Sequence, residues 1–216
     1  MMSVIPVLQK FPIFLGILLI TAVFALPDKA IAMAQDGVTK PAEFLQGLAN
    51  EAISVLSDQQ GTIDEREQKF RTVLRDDFAM KKIGRFAAGK YWRNMRAKQK
   101  RLYQKLFEEW ILKTYSIRFG GYSGERVKVI RTFKAGATDV FVRTQIDSSK
   151  RRSLKVDWRV RRIGQKFKII DVVVEGVSML VTQKAEFSSV LRQRGIDGLI
   201  TILRAQLDRL DAAKAS

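Results

Sequence analysis

The two side chains that most often serve as general base, thiol nucleophile or transition-metal ligand are missing from this chain: its 216 residues include no histidine and no cysteine. Catalytic triads, thiolate chemistry and zinc sites built on those groups are therefore excluded. Carboxylates, lysines, serines and tyrosines remain. Asp171 and Glu175 fall on one face of a strand-like run, a spacing at which two carboxylates can share acid–base work, and Tyr115 is a further acid or base to consider. The structural alternative is that the carboxylates pair with nearby arginines or cap the helix that follows. No glycine-rich loop has the spacing of a Rossmann or P-loop phosphate site. The expectation is a protein without catalytic residues, metal or cofactor.

The elements that would position these groups can be read from hydrophobic period. Phe44, Leu45, Leu48, Ala49, Ala52, Ile53 and Leu56 form one apolar face of a helix over 41–56, with Pro41 suited to its first turn. Thr62 and Glu65 stand in capping-box spacing, which predicts a second helix with Phe70, Val73 and Leu74 turned inward. Residues 78–95, interrupted by Gly84 and Gly89, read as two short helices or one kinked helix. Leu102, Tyr103, Leu106, Phe107, Trp110, Ile111 and Tyr115 recur at three and four, marking a long helix ended by Gly120-Gly121. The period then changes to two. Runs over 125–133, 138–147, 153–163 and 167–174, joined by short connections at Gly136, Ser148-Ser149-Lys150 and Gly164-Gln165, predict an antiparallel four-stranded meander. After Gly176 the helical period returns in one helix closed by Gly195 and a last one from Ile196 to Leu210. The fold class is α+β, a single curved antiparallel sheet whose apolar face is covered by helices.

The first residues have a different character. A positive region ending at Lys10, an apolar run from Phe11 to Leu26 and the small residues Ala30, Ala32 and Ala34 follow the layout of a cleavable secretory signal peptide. The apolar run contains Pro12 and falls short of the roughly 20 residues that cross a bilayer. Cleavage is expected after Ala34, which divides the chain into a signal peptide, 1–34, and one exported domain, 35–216.

Lys and Arg total 39 against 22 Asp and Glu, a formal charge of +17. In a cytoplasmic protein such a balance would suggest nucleic acid. For an exported domain, anionic lipid or an acidic protein is the better counter-charge, and no nucleic-acid partner is expected. Lys90, Arg93, Arg96, Lys98, Lys100 and Arg101 surround Tyr91 and Trp92, like a basic patch with stacking platforms. A solvated helix face with its aromatic residues in the core explains the same pattern.

The stretch Asp171-Val172-Val173-Val174-Glu175-Gly176-Val177-Ser178, followed by Phe187 and by Gly195 to Leu199, resembles the C-terminal signature of the MlaC or toluene-tolerance family. Phe78, Ile83-Gly84-Arg85 and Trp92 resemble its helical motif upstream. The similarity covers most of 41–210. It implies a periplasmic phospholipid-binding auxiliary of an ABC transporter, in which helices and a curved sheet enclose an apolar cavity. It further implies a monomer that carries phospholipid between an outer-membrane lipoprotein complex and an inner-membrane ABC transporter complex, the activity behind outer-membrane lipid asymmetry. A hopanoid or another lipid is the alternative cargo, because one branch of the family is associated with hopanoids. Many members have an arginine after the Gly-Val-Ser turn where this chain has Thr182-Gln183-Lys184, a less bidentate substitute.

On this resemblance the lipid-lining residues would come from the apolar sheet face, Val140, Val142, Ile146, Val156, Trp158, Val172 and Val174, faced by Trp110, Ile111, Tyr115, Leu180 and Phe187 from the helices. A filled core would use the same residues, since only missing packing neighbours distinguish a cavity from a core. Two rivals to the carrier follow: an enzyme using Asp171 or Tyr115, and a basic interaction protein with a filled core.

Overall fold

A computed structural model of the chain describes residues 28–58, 60–116, 124–149 and 152–215, with side chains described from Lys40 to Ala213. The apolar run Phe11–Leu26, the Gly120-Gly121 pair and Lys150 lie outside the described residues.

Helix α1 spans Asp28–Ser57. It does not begin at Pro41, as the sequence suggests, but carries that proline inside. A proline has no N–H to give the preceding turn, and Pro41 is buried. Helix α2, Ile63–Asp77, opens with the expected capping box: Glu65 N donates to Thr62 Oγ1 at 3.2 Å, and Thr62 N donates to Glu65 Oε2 at 2.8 Å. The segment that follows forms two short helices, α3 (Met80–Ala88) and α4 (Tyr91–Asn94). Long helix α5 is Ala97–Ser116. The family-like Ile83-Gly84-Arg85 triplet has a packing reason. A Cβ on Gly84 would stand 2.9 Å from Phe107 Cδ1, and the Tyr103 hydroxyl donates to the Gly84 carbonyl at 2.8 Å. Burial pushes the pKa of that hydroxyl up, so it acts as a structural donor.

Strands β1 (Arg126–Ala135), β2 (Asp139–Asp147), β3 (Leu154–Ile163) and β4 (Lys166–Val174) form the antiparallel meander. A fifth strand, β5 (Val177–Ser178), extends the four expected from sequence. Glu175 and Gly176 make the two-residue turn into it with φ of 48° and 85°, the double positive φ of a tight hairpin. Glu175 tolerates that conformation because its carboxylate accepts from Lys155 N at 2.8 Å. Helix α6, Met179–Ala215, is broken into two arms at Gly195, whose φ of 66° interrupts the spiral where the sequence places a helix end.

Two cores result. Tyr103, Phe107, Phe187, Leu191 and Leu203 fill one among α3, α5 and α6. Leu45, Leu48 and Val73 meet Val142, Val160 and Ile169 in the other, where α1 and α2 cover the sheet. Val142, Trp158 and Val172 are cross-strand neighbours on that covered face. The opposite face carries stacked Phe133 and Phe141, 5.3 Å apart, and the two-bond Arg143–Asp157 fork.

Candidate functional site

Between α1, α2 and the sheet lies a chamber of about 330 Å³. Leu45, Leu48, Ala49, Ala52, Ile53 and Leu56 contribute a stripe along α1. Their spacing of three and four keeps them on one side of the helix. Phe70, Val73 and Leu74 of α2 and Phe78 after it form the second wall. The sheet supplies Val127 and Ile146, which pair across β1 and β2, and Trp158 of β3. The two helices are tied together where Arg66 Nη1 of α2 donates to the Leu56 carbonyl of α1 at 3.3 Å.

The polarity of the walls is managed so that little but hydrocarbon faces inward. Trp158 donates its indole N–H to Thr144 Oγ1 at 2.9 Å. The hydroxyl of fully buried Thr144 in turn donates to the Val156 carbonyl at 3.2 Å. The indole polar edge is thus satisfied within the sheet and the ring offers the chamber an apolar surface. Among the described residues lining the chamber, Glu125 is the ionisable one, and its Oε1 accepts from Ser148 Oγ at 3.3 Å. Such a chamber can take up a hydrocarbon guest. It places no nucleophile beside a base.

Of the residues expected to line a pocket, Ile146 and Trp158 do line the chamber. Val140, Val142 and Val172 sit beside it in the α1–sheet core, packed against other side chains. Val156 is buried, and Val174 is half-buried at the end of β4. Trp110, Ile111 and Phe187 belong to the helical core, with Trp110 and Phe187 rings 5.8 Å apart. Tyr115 is 42% exposed. Leu180 lies in a second cleft of about 190 Å³ with Phe86, Arg159, Asp171 and Val181. Arg159 and Trp158 are successive strand residues and point to opposite faces, so this cleft is behind the sheet from the chamber. The chamber residues missed from sequence are those of α1 and α2 together with Phe78, Glu125 and Val127. The helical period was visible; what it left open was that space remains between α1, α2 and the sheet.

The candidate acid–base residues are occupied by structure. Asp171 accepts from Ser178 Oγ at 2.7 Å, Val172 N at 2.8 Å and Leu180 N at 3.1 Å. Ser178 in turn accepts from Val181 N at 3.0 Å, the contact of a helix N-cap. The Asp171-to-Ser178 signature is therefore the joint that fixes α6 to β4. Lys184 lies 4.8 Å over the Phe86 ring and does not line the chamber. Among the described residues there is no cluster of groups able to hold a metal ion, and no helix is long and apolar enough to cross a membrane.

Fold and site together define a class: an α+β protein in which an open antiparallel sheet and two helices hold a small apolar chamber. The model of the MlaC protein family matches residues 46–205, well over half of the chain, and the chain belongs to that family. A curated relative from Haemophilus influenzae, the intermembrane phospholipid transport system binding protein MlaC, is 25% identical over 172 residues, covering 76% of this chain and 80% of that protein. Among solved structures, the phospholipid-binding protein from Ralstonia solanacearum in complex with a phospholipid superposes with a TM-score of 0.70 at 19% identity, covering 79% of this chain and 98% of the other.

Proposed function

We propose that the chain is a periplasmic phospholipid carrier that takes acyl chains into the chamber between α1, α2 and the sheet. In this reading the leader is cleaved after Ala34, and the monomeric domain travels between an outer-membrane lipoprotein complex and an inner-membrane ABC transporter complex. The observation that carries it is the chamber, lined by hydrocarbon from three elements with the Trp158 indole N–H tied back into the sheet. Membership of the MlaC family and the phospholipid named for both relatives support the choice of cargo.

The physics asks for such a device. Each methylene brought into water costs about 0.8 kcal/mol, so two acyl tails of about 30 methylenes face a barrier of roughly 20 kcal/mol or more on leaving a bilayer alone. An apolar chamber removes much of that penalty with no covalent step, which suits a chain lacking histidine and cysteine. The volume of 330 Å³ is at the lower end of the roughly 300–1,000 Å³ usual for small-molecule sites. Loading two tails then requires α1 and α2 to move apart, and α1 has its built-in weak point at Pro41. The test is transfer of a fluorescent phospholipid from donor to acceptor vesicles. The mature domain should accelerate transfer in proportion to its concentration, and a rate equal to the protein-free rate would refute the reading.

A further inference from the structure

The basic segment around Tyr91 and Trp92 has no part in the chamber, yet its composition is extreme. From Phe78 to Phe107 the chain has ten Lys and Arg and no Asp or Glu. The helical core takes up its apolar side chains, half-burying Tyr91 and Trp92, and this turns the cations outward. Lys81, Lys82 and Arg85 of α3, Lys90 of the next turn, Arg93 of α4 and Lys98 of α5 are all exposed. The acids that approach from α6 are engaged with neutral partners: Asp197 accepts from Gln99 at 2.9 Å, and Glu186 accepts from Gln183 at 3.1 Å.

An apolar tip lies inside this charge. Phe86 on α3 is 44% exposed and Val181 on the first turn of α6 is 57% exposed. They share the second cleft with Lys82, with Arg159 and Arg161, both paired to Asp139, and with buried Asp171, and the Lys184 ammonium covers part of the Phe86 ring. Large exposed apolar side chains ringed by long cationic ones make the pattern of a protein that rests on a lipid headgroup layer, with stems buried and charges at the phosphates.

We infer that the face formed by α3, α4 and the start of α6 docks on anionic bilayer surfaces, with Phe86 and Val181 entering the headgroup region and the surrounding cations on phosphate. Charge complementarity selects this occupant. Lys81, Lys82, Arg85, Lys90 and Arg93, in a stretch of chain with no interleaved acid, match a mobile, uniformly negative lipid surface, whereas a specific protein interface matches charges of both signs position by position. None of these cations lines the chamber, so docking leaves the site free. The inference goes beyond the carrier reading and does not depend on it.

The experiment is co-sedimentation of the mature domain with vesicles of phosphatidylethanolamine alone and of equimolar phosphatidylethanolamine and phosphatidylglycerol. Two triple variants are compared, K81Q/K82Q/R85Q on α3 and K128Q/K134Q/K166Q on exposed sheet positions, with F86S as a third, and a thermal melt confirms that each is folded. Binding should require phosphatidylglycerol and disappear near 1 M salt, where the Debye length falls to about 3 Å. A cation near such a surface is worth about five-fold, so the α3 triple should bind on the order of a hundred-fold more weakly while the sheet triple stays within a few-fold of the parent. F86S should lose about ten-fold through its apolar contact. Equal losses from both triples would overturn the inference in favour of diffuse net charge. So would binding indifferent to phosphatidylglycerol, or no vesicle binding alongside an α3-dependent affinity for a purified membrane protein complex.

Discussion

Ala52 faces the chamber from the middle of the α1 stripe, and Ala88 is fully buried in the packed helical core. The same substitution at the two sites should therefore have opposite consequences. In Ala52→Phe the ring enters space that no protein side chain fills, so the usual overpacking cost does not arise. Stability should stay level or rise as apolar surface is covered. The ring removes room for about four methylenes of guest at about 0.8 kcal/mol each, so phospholipid affinity should fall by about 3 kcal/mol, on the order of a hundred-fold. In Ala88→Phe the ring meets close-packed neighbours and should cost about 1–3 kcal/mol. At this chain length the melting temperature moves roughly 2–4 °C per kcal/mol. The assay is a paired one, a fluorescent-phospholipid titration and a thermal melt on each variant. If Ala52→Phe destabilises as much as Ala88→Phe while binding lipid normally, the chamber is an ordinary core and the argument built on it fails.

Trp158→Phe keeps the chamber wall but leaves Thr144 Oγ1 without its indole donor, so it should cost about 1 kcal/mol in chemical denaturation and change lipid affinity little. Asp171→Asn tests the cap against the catalytic alternative: losing a charged acceptor of three hydrogen bonds should lower stability by about 2 kcal/mol while the folded fraction still binds lipid. Lipid binding abolished in a fully stable protein would contradict the cap. Burial alone would raise the pKa of Asp139, but hydrogen bonds from Arg161 and Arg159 outweigh it and hold the carboxyl below its ordinary range. Its stabilisation is accordingly present above the unfolded pKa near 3.9 and lost as pH falls through the lower folded value. Asp139→Asn should thus be less stable than the parent at neutral pH by about 2 kcal/mol, with the gap closing only in strong acid. A gap that persists unchanged below that range would mean that charge is not its source.

Much of the framework is legible in the sequence because it is local. The capping box, the α5 period and the four strand runs each carry their cause within a few residues. Features that depend on partners distant in sequence are not legible in this way. Pro41 looks like a helix start because a proline suits a first turn, and nothing local shows that the helix runs on ahead of it. In β4, alternation counted back from Val172 would put Ile170 on the covered face, but a bulge opposite Arg159 and Val160 shifts the register. Ile169 therefore takes the covered face and Ile170 joins the cleft behind it. The chamber is the extreme case. Ala49, Ile53 and Phe70 are apolar at helical spacing in either a core or a cavity, and what separates them from Leu191 or Leu203 is the absence of neighbours on one side. That absence follows from how α1, α2 and the sheet are set together, which no single helix encodes.

The central claim is that this chamber carries phospholipid, and a native mass spectrum of the protein purified from cell envelope without added lipid tests it most directly. The parent should show a population heavier by the mass of one phospholipid, released on collisional activation, and Ala52→Phe should show that population depleted. A parent protein that appears only at its polypeptide mass, or that keeps an equal adduct when the chamber is filled, would contradict the account.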